Sequence, residues 1–236
     1  AETTGWSPRM LRYIESVDLV VPPRSAGGYR LYGPAELQRL RTLRELLKGQ
    51  KLEIAAVGFV QRLLDEPVVD LFPEAAHRAG PRAAALTLHD LLAMRTGHRV
   101  DTLTWREHSP TQFPDVFLAA EPEEEPGWFV YHNGATLMAA LAVQRRSGQR
   151  LLAYLRPRLL EPLGLPDAAW SGRDVDLGYS GLHVPTAALA RLGELVLRGG
   201  HWQGRPVFPA GWAATMTAGH TDTTHHPEKV DWQQGY

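Results

Sequence analysis

Three short strings carry most of the chemistry this chain can offer. In GWFVYHNGATL (127–137), Tyr131 and Asn133 stand one residue apart on an aromatic, strand-like run that leads into a helix. Such a pair reads as part of a catalytic apparatus whose nucleophile lies elsewhere. The plainer alternative is a strand tyrosine, buried with its hydroxyl satisfied. Near the N-terminus, Arg12, Tyr13, Arg24, Tyr29 and Arg30 fall within twenty residues of one another. Arginine reads guanine edges or clamps phosphate, and tyrosine hydroxyls donate to phosphate oxygens, so this group suits double-stranded DNA. The third string, GHTDTTHHPE (219–228), holds His220, Asp222, His225 and His226, enough ligands for zinc on paper. No helical pair four residues apart frames them, so a histidine-rich surface loop is the expectation, with no metal and no cofactor.

Composition narrows the classes. The chain has 236 residues, 44% of them hydrophobic and 22% charged, ordinary values for a globular protein. No cysteine is present, which excludes disulfides, thiolate zinc sites and a cysteine nucleophile. No apolar run is long enough to span a bilayer and no signal peptide is visible, so a cytoplasmic location and no membrane partner are expected. Of 25 basic residues only Lys48, Lys51 and Lys229 are lysines, a pattern of GC-rich bacterial genomes. Residues 1–51 hold nine basic and five acidic side chains, leaving a net charge of −5 for the remainder of a chain at −1 overall. A basic head on an acidic body points to a nucleic-acid-facing N-terminal part. The acidic run EPEEE (121–125) reads as a solvated loop, and the glycines at 27–28 and 199–200 as turns rather than phosphate cradles.

The elements that must position the basic group are clearly punctuated. Ser7 is an N-cap and Pro8 a first helical residue, with Met10, Leu11 and Ile14 as the apolar stripe. A double proline and a Gly-Gly turn then separate two short extended pieces, the pattern of a hairpin wing. Leu37, Leu40, Leu43, Leu46 and Leu47 lie at helical spacing before Gly49, and a second amphipathic helix runs over 52–64. In this order, Leu11-Arg12-Tyr13, Pro22/Arg24 and Gly28-Tyr29-Arg30-x-Tyr32 closely resemble the winged helix-turn-helix head of MerR-type regulators, over roughly residues 3–55. The resemblance implies Arg12 and Tyr13 in or beside the major groove and Arg24, Tyr29 and Arg30 on phosphates. It also implies a homodimer, for which 52–64 is the candidate helix. The sequence departs from that pattern at Ile14, where a second tyrosine is common, and in lacking almost all of the first helix.

From about Asp65 the grammar changes. Thr87 is an N-cap for a helix bearing Leu91, Leu92 and Met94. The stretch 135–165 reads as two helices broken at Ser147-Gly148. VPTAALARLGELVLRGG (184–200) is a further amphipathic helix, and 201–217 a turn and a short helix. TLHDLLAMRTGH, FVYHNGATLMAALAVQRRSGQ, YLRPRLLEPLGL and SGLHVPTAALARLGELVLRGG resemble the β-lactamase and penicillin-binding-protein-like serine hydrolases, from about residue 64 to 236. By that resemblance Tyr131 helps to shuttle the nucleophile's proton and Asn133 bonds substrate or the catalytic lysine. The family's serine lies in Ser-x-x-Lys. Three positions beyond the seven serines (7, 16, 25, 109, 147, 171 and 180) stand Met10, Leu19, Gly28, Gln112, Arg150, Asp174 and His183, so none is followed by lysine. Losing nucleophile or base removes most of the rate.

The expected architecture is α+β with helices dominant. A DNA-binding head spans 1–52 and a serine-hydrolase-like part spans 53–236, lacking its Ser-x-x-Lys and terminal Lys-Thr-Gly-type elements. The expected function is transcription regulation, with the second part as a non-catalytic sensor for a small-molecule ligand, Tyr131 and Asn133 being vestigial. Two alternatives stay open: a hydrolase or esterase seen as a piece of a longer chain, and a fusion with no selected function. The start at Ala1 and the end at Tyr236 are compatible with a fragment.

Overall fold

A computed structural model describes residues 5–16, 19–48, 64–103, 109–172, 174–209 and 211–223. The expected helix and dimer segment 52–64 except Leu64, the 52/53 border, His225 and His226 lie outside them. Among the described residues the chain is helix-rich with few strands, the strands forming two two-stranded antiparallel pairs. No helix there is long and apolar enough to cross a membrane. Contacts divide the chain into Ala1–Leu63 with Val196–Thr217, and Leu64–Leu195 with Ala218–Tyr236.

In the first unit, helix α1 (Pro8–Ser16) opens where the Ser7 hydroxyl accepts the Met10 N–H at 3.2 Å. Its inward side buries Ile14, which packs with Val20, Leu40 and Leu43, while Trp6, Met10, Leu11 and Tyr32 close the edges. Helix α2 (Pro34–Lys48) starts where Glu36 reaches back to the Gly33 N–H at 2.8 Å. The Trp6 indole N–H donates to the Leu40 carbonyl at 3.1 Å. Between the helices, Arg24 and Arg30 form an antiparallel bridge, closed by Ser25 N–H to Tyr29 O at 2.8 Å. Gly28 takes φ +79° there, a left-handed conformation that costs glycine little. Further on, β3 (His201–Trp202) pairs with β4 (Arg205–Pro206) around Gln203 and Gly204, whose φ values of +47° and +77° fit a type I′ turn. The short helix Trp212–Met216 follows, as the sequence suggests.

The second unit is built around one central helix, Asn133–Ser147, which buries residues on all sides, from Gly134 to Gln144. Its alanines allow close approach: a Cβ on Gly178 would lie 2.4 Å from that of Ala140. Phe72, Phe113, Phe117, Leu86, Leu91, Leu137 and Met138 fill the surrounding core. The expected break falls at Gly148, a left-handed C-cap, before Leu151–Leu155. Thr87 caps Leu88–Leu92 in a full capping box with Asp90. Leu92, expected on the apolar face, is 45% exposed, because this helix ends there and Met94 turns to φ +50°. The expected strand at 127–131 is absent. That run bonds to the 94–97 loop through Gly97 N–H to Trp128 O, Gly127 N–H to Arg95 O and Val130 N–H to Met94 O, without the regular register of a ladder.

Candidate functional site

The five expected DNA-contact residues are all in the first unit. Arg12 and Tyr13 lie on the outward side of α1, opposite Ile14, and Tyr29 is 77% exposed at the hairpin tip. Arg24 and Arg30 are brought together across the hairpin by one acid. Glu15 accepts Arg24 Nη2 at 2.5 Å and also pairs with Arg30 Nε. The Arg30 guanidinium, with Arg24 beside it, holds the Glu15 carboxyl below the usual carboxylate range despite its partial burial. Arg24 Nη1 also donates to Gly28 O at 3.2 Å, fixing the turn. Tyr32 faces inward, and burial pushes its phenol pKa up. The result is a cationic, phenol-bearing edge over a small apolar core, chemistry that suits a phosphate backbone.

In the second unit the Tyr131 side chain is 44% exposed, whereas Asn133 is turned to internal work. Asp101 Oδ2 accepts the Asn133 N–H at 3.0 Å and its Nδ2 at 2.9 Å, while Oδ1 accepts the N–H groups of Gly134 and Leu103 at 3.0 Å. One carboxylate therefore closes the N-terminus of the central helix, where the helix dipole favours negative charge. A Cβ on Gly134 would lie 2.5 Å from Thr102 Oγ1 and 3.0 Å from Phe113, so glycine is required beneath it.

His132, between the two candidates, is fully buried and points the other way. Its Nε2 accepts the Thr102 N–H at 2.8 Å, which places the ring proton on Nδ1, facing Thr96 Oγ1 at 3.2 Å. The Thr96 hydroxyl then donates to His98 Nδ1 at 2.9 Å, and His98 Nε2–H to the Ala120 carbonyl at 2.9 Å. Each donor in this chain meets an acceptor only if both rings are neutral. Burial agrees, lowering the His132 pKa to about 4 and that of His98 in the same direction. The 3.5 Å approach of His132 Nε2 to Asp101 is thus a contact with a neutral ring.

A family model described as Beta-lactamase matches residues 60–218, more than half of the chain. The chain belongs to the beta-lactamase family. A second model, MerR HTH family regulatory protein, matches residues 1–64. No curated protein matches. Three solved structures share the fold of the beta-lactamase-family part. A Bacillus anthracis protein assigned as a 6-aminohexanoate-dimer hydrolase has TM-score 0.52 and 19% identity over 65% of this chain and 45% of its own. One from Bacteroides dorei assigned as a beta-lactamase has TM-score 0.56 and 16% identity over 75% and 52%. A Pseudomonas syringae beta-lactamase/D-alanine carboxypeptidase has TM-score 0.50 and 16% identity over 61% and 46%. The chain thus spans about half the length of these structures.

Within this beta-lactamase-family part, several groups escaped sequence reasoning. Asp101 and the Thr96–His98–His132 chain make contacts across 22 to 36 positions of sequence, beyond any short motif. The acidic run is not simply solvated. Glu121 accepts the N–H groups of Arg82 and Ala83, Glu123 that of Arg99, and Glu124 and Glu125 pair with Arg99 and Arg82. His220 meets His89 at 2.9 Å, where burial first and Arg95 next hold the His89 pKa near 4. Among the described residues no group of three histidines or acids is arranged to hold a metal. Ser171 Oγ lies 2.7 Å from His183 Nε2, across the pairing of β1 (Ala169–Trp170) with β2 (Leu182–His183). Both side chains are exposed, and this bond ties the two short strands together at the surface.

Proposed function

We propose that the chain is a DNA-binding transcription regulator of MerR type whose beta-lactamase-family part receives a small molecule without being acylated. The observation that carries this reading is the cationic edge of the first unit, where Arg12, Tyr13, Tyr29, Arg24 and Arg30 lie on α1 and the following hairpin, within the residues that match the MerR model. The winged form of the head, a homodimer through 52–64 and a cytoplasmic site of action belong to the same reading. None of the chain's seven serines has a lysine three positions on, and in the second part Asn133 Nδ2 is spent on Asp101. Titration of a fluorescent promoter-like duplex at two salt concentrations tests the head. Binding should weaken steeply with salt, because released counterions drive it. No affinity at low salt, or affinity indifferent to salt, refutes regulation through DNA.

A second reading is favoured by the chain spanning only about half of the matched structures: a serine hydrolase whose nucleophile lies beyond these 236 residues. Intact-mass measurement on a polypeptide extended through the flanking reading frame, after incubation with a penicillin, separates the two. An adduct outside these 236 residues establishes the hydrolase, whereas an extended chain that stays unmodified leaves the non-catalytic reading standing.

A further inference from the structure

One acid stands among the cations of the head. Glu15 follows Arg12 by three positions on α1, so it lies beside that arginine on the helix surface, and it faces the hairpin that carries Arg24 and Arg30. Its carboxylate accepts Arg24 at 2.5 Å and pairs with Arg30, with only 15% of its own side chain exposed. The two arginine side chains remain 48% and 31% exposed. A guanidinium has five N–H donors. Glu15 takes one from each arginine and Gly28 O takes one more from Arg24, so both retain donors for a phosphate. Any phosphate that reaches them meets a fixed anion within contact distance of the same guanidinium groups.

We propose that Glu15 is an electrostatic brake on backbone binding: it locks Arg24 and Arg30 in place and cancels half their charge, lowering sequence-independent affinity for DNA. Arg12 and Tyr13, on the outward face of α1, keep their capacity to read bases. The net effect is specificity. Affinity for arbitrary DNA falls while base contacts are untouched, and the ratio of the two sets how a regulator distributes over a genome. This inference rests on the regulator reading and assigns a role within it.

A random-sequence duplex tests the brake without knowledge of an operator. Wild type, Glu15→Gln and Glu15→Asp are titrated over a salt series, with circular dichroism as the folding check. Glu15→Gln should bind about three- to tenfold tighter at low salt, with a log–log salt slope steeper by about one ion. Glu15→Asp, which keeps the charge, should stay within about twofold of wild type. A folded Glu15→Gln protein that binds no tighter, or more weakly, overturns the brake while leaving DNA binding standing. Wild type that fails to bind at low salt removes the regulator reading and the brake with it. If Glu15→Gln does not fold, Glu15→Ser carries the same expectation. Failure of both to fold makes Glu15 a purely structural residue and overturns the proposal.

Discussion

Glu15 and Asp101 are each a single carboxylate that organises a candidate site, and they do opposite things with the groups they gather. Glu15 holds two side-chain cations at the edge of a core built on Ile14, Val20, Leu40 and Leu43, leaving both arginines partly in water. Asp101 draws in three backbone N–H groups and one carboxamide, and stands over a central helix buried on all sides. The first arrangement keeps reactive groups available to an outside anion. The second consumes them. A polar residue in a familiar motif therefore states its role only once its hydrogen bonds are counted, and Asn133 is the clearest instance.

The contrast can be broken most forcefully at Asp101. Asp101→Ala strands four donors, three of them at a helix start, and should cost about 2–4 kcal/mol, read as a drop of roughly 5–12 °C in melting temperature. A loss below about 0.5 kcal/mol would show that Asp101 is not the organiser of its site. Acid gives the next largest effect. Above pH 6.5 the His132 ring is neutral in folded and unfolded chains alike. Below it, the unfolded chain takes up a proton that the folded ring refuses until about pH 4. Stability should therefore fall between pH 6.5 and 4, with His132 contributing at most about 3 kcal/mol beside the shares of His89 and His98, and His132→Gln should remove its own share of the fall. A wild-type profile already flat across the window would contradict the neutral His132–Thr96–His98 chain.

On the other side of the comparison, Arg12→Ala should weaken duplex binding about fivefold and lower the salt slope by about one, with no change in melting temperature. Equal binding by the variant would remove Arg12 from the interface. The smallest expected effect sharpens the role of Asn133. Asn133→Ala loses the Nδ2 bond to Asp101 but keeps its backbone N–H, so about 1 kcal/mol should be lost, measured by urea unfolding. A neutral substitution would return Asn133 to the surface.

Local signals were legible. Ser7, Thr87 and Gly148 announce helix ends because a cap works through bonds only three or four residues long. The two family resemblances were legible for a related reason, since each rests on ordered strings that the family models match over 1–64 and 60–218. The carboxylate clamps were not. Glu15 meets partners 9 and 15 positions away, and Asp101 meets Asn133 at 32, separations that no periodicity encodes. The acidic run misled for the opposite reason: five residues rich in glutamate look like a solvent-facing loop until Arg82 and Arg99, far back in sequence, arrive beside them. The aromatic run before Asn133 has strand composition without a strand, because its neighbour is an irregular loop rather than a strand edge.

The inward turn of His132 gives the Tyr131-x-Asn133 string an asymmetric tolerance to change. Tyr131 on the outer side is 44% exposed, whereas the middle position is a keystone whose replacement is felt at Thr96, His98 and Ala120. Drift or design that remodels the outer surface can proceed on this scaffold for as long as that hidden imidazole is kept.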